Sequence, residues 1–178
     1  MTSLKRERVQ ATLEGEIVDR PPVSLWRHFY EAEEMAEGLA EAMLYFQREF
    51  DWDFMKVNPR AHYHVEDWGT QYRYTGNPNE APTRTHVPVG SAEDWQHILP
   101  LDPLKGSLDE HLRALSHIAK SLEGEVPFVM TIFTPLAIAA RLVESDQVML
   151  EHLHEYPSEV HTALQHITES FRAYVTEC

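Results

Sequence analysis

The chain has 178 residues, 43% hydrophobic and 25% charged, a composition typical of a globular domain with a sizeable core. Its formal net charge of −14 argues against a broad basic face, so no nucleic-acid partner is expected. No apolar run approaches the ~18 residues of a membrane span, no signal peptide is visible, and the single cysteine, Cys178, fits a reducing compartment; we therefore expect a cytoplasmic protein without membrane contact.

The first third of the chain reads as helix, turn, strand, helix and strand. A helical run over residues 5–14 precedes a turn at 15–20. Residues 21–28 then predict a buried strand that delivers Arg27 at its C-terminal end. Apolar residues at helical spacing predict an amphipathic helix over 31–49, and residues 54–57 predict a second short buried strand.

The middle of the chain is predicted to interrupt the alternation of strands and helices. Residues 70–75 and 83–87 predict a hairpin around the turn at 76–79. Ser91 followed by an acid three residues later predicts a short capped helix. A further helix is predicted over 108–122, ended by Gly124.

The last third predicts a third strand over 128–133, an N-cap at Thr134 and helices over 135–144, 146–155 and 158–178. This order of elements is that of a parallel α/β sheet or barrel. Three strands fall short of a complete barrel of about 250 residues, and the last helix has no stop signal. We therefore expect residues 1–178 to be the N-terminal half of a barrel domain, apparently truncated, whose open edge favours a homo-oligomer.

Two motifs resemble a known superfamily. Residues 8–16, RVQATLEGE, and residues 18–23, VDRPPV, are similar to the N-terminal signature of the uroporphyrinogen decarboxylase superfamily. That superfamily contains haem-pathway decarboxylases and zinc-dependent corrinoid and coenzyme M methyltransferases. Residues 51–59 and 127–136 fall where its second and third barrel strands come. The resemblance implies a partial (β/α)8 barrel with a hairpin excursion after strand 2, acting on an anionic tetrapyrrole or a corrinoid-linked methyl substrate.

Arg27 is the first candidate for catalysis and substrate binding. The C-terminal ends of barrel strands carry the active-site loops, and a guanidinium has the donor geometry for a carboxylate or phosphate. In the resembled decarboxylases the corresponding arginine binds a substrate carboxylate, but their second arginine is Glu31 here. The alternative is a structural ion pair of Arg27 with a neighbouring glutamate, Glu31, Glu33 or Glu34.

The exit of the second strand supplies further candidates. In the resembled decarboxylases an aspartate after this strand contacts the pyrrole nitrogens, and that position is Arg60, which accepts no hydrogen bonds. A structural pairing of Arg60 with Glu66 or Asp67 is the alternative. We expect the strand ends to converge on one cleft. The predicted substrate-binding residues are Arg27, His28, Asn58, Arg60, His62 and Thr131.

His62 and His64 are weak metal candidates, because two residues apart in an extended segment their imidazoles would share a side. No cysteine lies nearby to complete a zinc site, and a polar loop is the alternative. The resembled methyltransferases take zinc from a His and two Cys in the C-terminal half of their barrel. We therefore expect no cofactor in this chain, and zinc only with that C-terminal half.

Two classes of function follow. The resemblance implies a decarboxylase or methyltransferase relative with an anionic small-molecule substrate. The decarboxylase tyrosine is replaced near Ala139 and Ala140, which together with Glu31 and Arg60 favours the methyltransferase branch. The alternative is a non-catalytic half-barrel that serves as a binding or dimerisation module, or a fragment of a zinc-dependent methyltransferase.

Overall fold

The computed structural model describes residues 4–178, which divide into two compact units. The first comprises Met1–Ala61 and Arg113–Thr131, and the second comprises His62–Leu112 and Ile132–Cys178. In chain order the elements are α1 (Leu4–Leu13), α2 (Ala36–Phe50), β1 (Met55–Val57), α3 (Tyr63–Glu66), β2 (Gln71–Arg73), β3 (Thr83–His86), a 3-10 helix (Ala92–His97), α4 (Gly106–Leu122), β4 (Phe128–Met130), α5 (Pro135–Ala139), α6 (Asp146–Glu155) and α7 (Pro157–Glu177).

The first unit is built around a parallel ladder of β1 and β4, as the strand–helix order predicts. The register pairs Lys56 with Val129 at the middle of the ladder. Met55 and Val57 are buried on one face, so Lys56 points to the opposite face. Val129 is 52% exposed there. One face of the ladder thus belongs to the core, and the other is open.

The first predicted strand is not formed. Residues 21–29 carry no strand assignment, and Val23 and Leu25, which we expected to be buried, are exposed. A backbone bond of 2.9 Å does run from the Asp53 N–H to the Val23 carbonyl, so the segment lies alongside the residues before β1. One such bond is too few for a ladder, which requires repeated pairing along both chains.

The helix that follows begins later than the predicted residue 31. Residues 30–34 form turns, and α2 starts at Ala36. The turn packs tightly on the helix, because a Cβ at Gly38 would collide with the backbone carbonyl of Ala32. The polar turn instead supplies Glu33, whose carboxylate is buried.

The carboxylate of Asp53, buried just before β1, organises this unit. Its oxygens accept bonds from the guanidinium groups of Arg8 (2.6 Å) on α1 and Arg20 (2.9 Å) in the following turn. They also accept from the Val23 backbone N–H at 2.8 Å. These bonds, above all those from Arg20, hold the pKa of Asp53 at about 2, well below its usual range. Asp53 therefore joins the first helix, the turn and the strand.

In the second unit, β2 and β3 form the predicted antiparallel hairpin, with a register shift between Gln71 and Tyr72. Asp67 caps the start of α4, because its carboxylate accepts the backbone N–H groups of Ser107 (2.9 Å) and Leu108 (3.2 Å). The predicted capping box at Ser91 is also present. The helices α5 to α7 agree with the prediction, although α5 ends at Ala139 rather than at residue 144.

Two histidines of the terminal helices make hydrogen-bond contacts within the second unit. His152 is buried, and its Nδ1 accepts a bond of 3.0 Å from the indole of Trp95. The His166 Nδ1 lies 2.7 Å from the Ile98 carbonyl. The two rings therefore hold the 3-10 helix and the residue that follows it against α6 and α7. Within residues 4–178, no helix has the length and apolar character needed to cross a membrane.

Asp53→Asn should lower the free energy of unfolding by about 2–3 kcal/mol, because Arg8 and Arg20 lose their shared counter-charge. The pKa of Asp53 is lowered in the folded state, so its contribution is present above about pH 4 and lost as the pH falls toward 2. Urea titrations at neutral and acid pH measure both effects. Glu49→Gln removes one negative charge from the exposed face of α2 and is the control. Equal stability of the two variants at neutral pH would contradict this role of Asp53.

Candidate functional site

The open face of the ladder meets the segment that follows Val23. The Lys56 ammonium lies over the Trp26 ring, 3.7 Å from its centroid. Two residues further along each segment, the nitrogen of the Asn58 side-chain amide lies 2.9 Å from Nδ1 of His28. We call these four residues, Trp26, His28, Lys56 and Asn58, the open-face cluster. The period of two places Lys56 and Asn58 on one side of the chain, and that side carries the site.

Glu33 holds the two segments of the open-face cluster together. Its fully buried carboxylate accepts backbone N–H bonds from Phe29 (3.1 Å) and Ala61 (2.9 Å). The oxygen that binds Phe29 also lies 3.2 Å from Nδ1 of His28. One carboxylate thus connects the turn after His28 with the segment after β1.

Two contacts bear on which nitrogen of His28 carries the proton. Nδ1 lies 3.2 Å from a Glu33 carboxylate oxygen, which can only accept, and 2.9 Å from the Asn58 amide nitrogen, which can only donate. Because both oxygens of Glu33 act as acceptors, we assign the proton to Nδ1, an assignment that requires the Asn58 amide to rotate so that its oxygen, and not its nitrogen, faces this N–H. In the neutral ring, the lone pair then resides on Nε2. Because a ring held at Nδ1 by a carboxylate is oriented to accept a proton or a hydrogen bond at Nε2, His28 has the arrangement of a general base.

Aromatic rings surround His28 on two sides. The Tyr30 ring stacks on it with centroids 5.1 Å apart, and the Trp26 ring meets it edge-on at 6.0 Å. Burial raises the pKa of the Tyr30 hydroxyl, so this group stays protonated at neutral pH and can donate a hydrogen bond. The cluster therefore combines flat apolar surfaces with a base and a cation, the mixture that binding sites for small organic molecules use.

The other predicted residues of the first unit flank this cluster. Arg27 is exposed, donates from Nε to the His28 carbonyl at 2.9 Å and lies 5.2 Å over the Phe29 ring. Arg60 donates to the Glu34 carbonyl at 3.0 Å. The Thr131 hydroxyl lies 3.4 Å from the Val57 carbonyl at the end of the ladder. Both arginines thus contact the segment 28–34, whereas their binding of a substrate stays a prediction.

The premise for a metal at His62 and His64 is wrong. These residues lie at the start of a helix rather than in an extended segment, so their side chains diverge. The His62 ring stacks on Tyr72, 3.4 Å between centroids, while His64 is buried against Phe133 and burial lowers its pKa to about 4. Both belong to the second unit, and among residues 4–178 no three His, Cys, Asp or Glu side chains are grouped to hold a metal. The described residues therefore do not fit the zinc of the resembled methyltransferases.

Three residues of the site were not predicted from the sequence: Trp26, Glu33 and Lys56. Lys56 was visible as a cation between Met55 and Val57 in a strand read as buried, and Trp26 alternates with His28. Glu33 had no such signal, because it stands among Glu31, Glu34 and Glu37 in a segment predicted to be helical. Only the turn at 30–34 shows which glutamate is buried.

A comparison with solved structures bears on the fold. The solved structure of a methyltransferase from Methanosarcina mazei is similar, with a TM-score of 0.77 and 22% sequence identity. The match covers 99% of this chain and 56% of that chain, so this chain spans a little over half the length of its structural relative. The parallel ladder and its helices are accordingly a partial (β/α)8 barrel, as the sequence predicts.

Residues 4–178 match the family model described as uroporphyrinogen decarboxylase (URO-D). The chain therefore belongs to the URO-D family, which confirms the resemblance of its N-terminal motifs. Among curated proteins, a sequence search finds no match.

Replacing Glu33 by Gln should disturb the protonation of His28, because an amide can turn its NH2 group toward Nδ1 and no longer demands a donor there. Nitrogen NMR of the labelled imidazole should report the Nδ1–H form in the wild-type protein and a mixture or the Nε2–H form in the variant. Glu34→Gln, one residue along and exposed, is the matched control. An unchanged His28 spectrum in Glu33→Gln would contradict the assigned orientation.

Proposed function

We propose that this URO-D family protein binds an anionic tetrapyrrole or a corrinoid-linked methyl substrate at the open-face cluster. The observation that carries the proposal is the buried Glu33 carboxylate, which orients His28 beside Asn58 at the end of a parallel strand. Buried carboxylates that orient an imidazole are costly to maintain. They are common where the imidazole exchanges a proton with a ligand.

Arg27 supplies the charge in this proposal. Arg27 precedes His28 in the chain, and its guanidinium is exposed. It can donate two hydrogen bonds to a substrate carboxylate in a bidentate contact. Arg60 reaches the same segment from the exit of β1 through the Glu34 carbonyl. Together the two arginines offer anion contacts beside a base and flat aromatic rings. His62, predicted as a further substrate contact, lies in the second unit, and that contact stays a prediction.

The methyltransferase branch suits these residues better than decarboxylation. Decarboxylation of a pyrrole side chain needs an acceptor for the pyrrole N–H groups, and Arg60 stands where the family's decarboxylases have an aspartate. Ala139 is buried within α5 and brings no hydroxyl to replace the decarboxylase tyrosine. The structural relative is itself titled a methyltransferase. Among the described residues, no three His, Cys, Asp or Glu side chains are grouped to hold zinc.

A non-catalytic half-barrel that binds or dimerises is the second candidate. Its support is the uncovered apolar surface of the first unit: Val23, Leu25, Trp26 and Val129 are each about half exposed. Apolar residues grouped in this way mark surfaces that meet another protein segment. A second copy of the chain or the C-terminal half of a family barrel would cover them.

Binding is tested with uroporphyrin, the oxidised and fluorescent form of the decarboxylase substrate, and with a corrinoid carrying carboxylates. We expect the wild-type chain to bind at least one of them, more weakly as salt rises, and to turn over neither uroporphyrinogen nor a methyl donor without the rest of a barrel. Arg27→Gln should weaken binding about tenfold, the loss of one charge-assisted contact. Arg48→Gln, on the exposed end of α2, is the control and should bind as wild type. Failure of the wild type to bind either compound would overturn the proposal.

Self-association is tested separately. The exposed apolar surface of the first unit predicts that the purified chain forms at least dimers, and that replacing Leu25 by Glu shifts it toward monomers. Sedimentation equilibrium over a range of concentrations measures the association. Leu150→Glu, at an exposed position of α6, is the matched control. A compact monomer at all concentrations would remove the dimerisation module from consideration.

A further inference from the structure

Lys56 is a cation in an unusual position. It occupies the centre of β1, between the buried residues Met55 and Val57, and projects from the ladder on the open face beside Val129. A lysine at the centre of a short strand is less common than a β-branched or aromatic residue. Its ammonium lies 3.7 Å from the centroid of the Trp26 ring.

The charge of Lys56 has no counter-ion among residues 4–178. Lys105, by contrast, pairs with Asp102 at 3.1 Å, and Lys5 pairs with Asp51. The Trp26 ring attracts the ammonium, but a cation–π contact contributes only about 0.5–2 kcal/mol. Partial burial lowers the pKa of Lys56, and no carboxylate opposes this effect. Acidic residues are abundant in this chain, whose net charge is −14, yet none among the described residues pairs with Lys56. The position therefore remains open to an external anion.

We propose that Lys56 receives a carboxylate of the ligand directly, with the apolar body of the same ligand lying against Trp26 and Val129. This inference rests on the proposed function and adds to it a subsite, distinct from Arg27, that selects carboxylated over neutral ligands. An ammonium that is already partly desolvated gains more from an anion than a fully hydrated one, because less water remains to be displaced. The exposed sides of Trp26 and Val129 provide the apolar contact that a free inorganic anion would not use.

The neighbouring groups support a carboxylate rather than a phosphate. A carboxylate on Lys56 would lie on the side of β1 that also carries Asn58, whose amide faces Nδ1 of His28. Phosphate sites usually add backbone N–H groups of a helix start or a glycine-rich loop. Neither a helix start nor a glycine-rich loop follows Lys56 in the described residues, since β1 continues directly into Asn58 and Pro59.

The experiment compares Lys56→Met, Lys56→Arg and Lys105→Met with wild type. Two probes are titrated, uroporphyrin and the small aromatic acid 1-naphthoate, each followed by quenching of Trp26 emission, identified with the Trp26→Phe variant. Methionine keeps the length and apolar character of the side chain, and arginine keeps the charge. Circular dichroism and thermal melting verify that each variant is folded, and we expect Lys56→Met to be no less stable than wild type.

We expect Lys56→Met to weaken both probes about tenfold or more, Lys56→Arg to stay within a few-fold of wild type, and Lys105→Met to bind unchanged. 2-Ethylnaphthalene, which lacks the carboxylate, should bind wild type and Lys56→Met equally or not at all. Protection of the Lys56 amine from reductive methylation by bound probe, read by mass spectrometry, gives an independent measurement.

The outcomes separate the two proposals. If uroporphyrin binds wild type and Arg27→Gln weakens it, but Lys56→Met binds as tightly as wild type, the Lys56 subsite is wrong and the proposed function stands. If neither tetrapyrrole binds but 1-naphthoate does so in a Lys56-dependent way, the proposed function fails and the subsite stands. Absence of binding by all probes overturns both.

Discussion

The buried carboxylate of Asp53 is the interaction on which the first unit depends. It lies at the start of β1 and gathers bonds from α1, from the turn after α1 and from the backbone of Val23. Without these bonds the segment after Val23 has little to hold it, because it forms no ladder of its own. Ion pairs and hydrogen bonds to Asp53 hold this segment in place, whereas β1 and β4 are held together by backbone hydrogen bonds. This explains why exposed residues such as Leu25 nonetheless occupy defined positions.

A second buried carboxylate, Glu33, fixes the other end of the same segment. Asp53 anchors residue 23 at the start of β1, while Glu33 joins Phe29 and Ala61 beyond its end. The residues between these anchors, Trp26 and His28, are therefore held across from Lys56 and Asn58. The site is thus a consequence of two buried carboxylates, Asp53 satisfied by two guanidinium groups and a backbone N–H, and Glu33 satisfied mainly by backbone N–H groups.

The sequence predicted most of the fold but only part of the site. Periodicity and capping signals located the helices, the hairpin and two parallel strands, because these elements depend on local pattern. The predicted first strand was wrong, since an apolar run next to prolines indicates a strand only if a neighbouring chain pairs with it. His28 and Asn58 were both among the predicted substrate-binding residues, but their contact with each other was not predicted. The orientation of His28 by Glu33 was not predicted either, because burial of one glutamate among several depends on a turn that periodicity does not reveal.

The distribution of charge on the open face has a physical consequence for ligand choice. Acidic side chains outnumber basic ones almost twofold in the whole chain, 29 to 15. Within the open-face cluster this relation does not hold: Lys56 is a cation, whereas the nearby carboxylates of Asp53 and Glu33 are buried and already bonded. The charge of a partly buried cation is screened less by salt and water than the charges of the exposed acidic surface. An anionic ligand is therefore repelled by most of the surface and attracted at this face, which gives selectivity for where it binds without a broad basic patch.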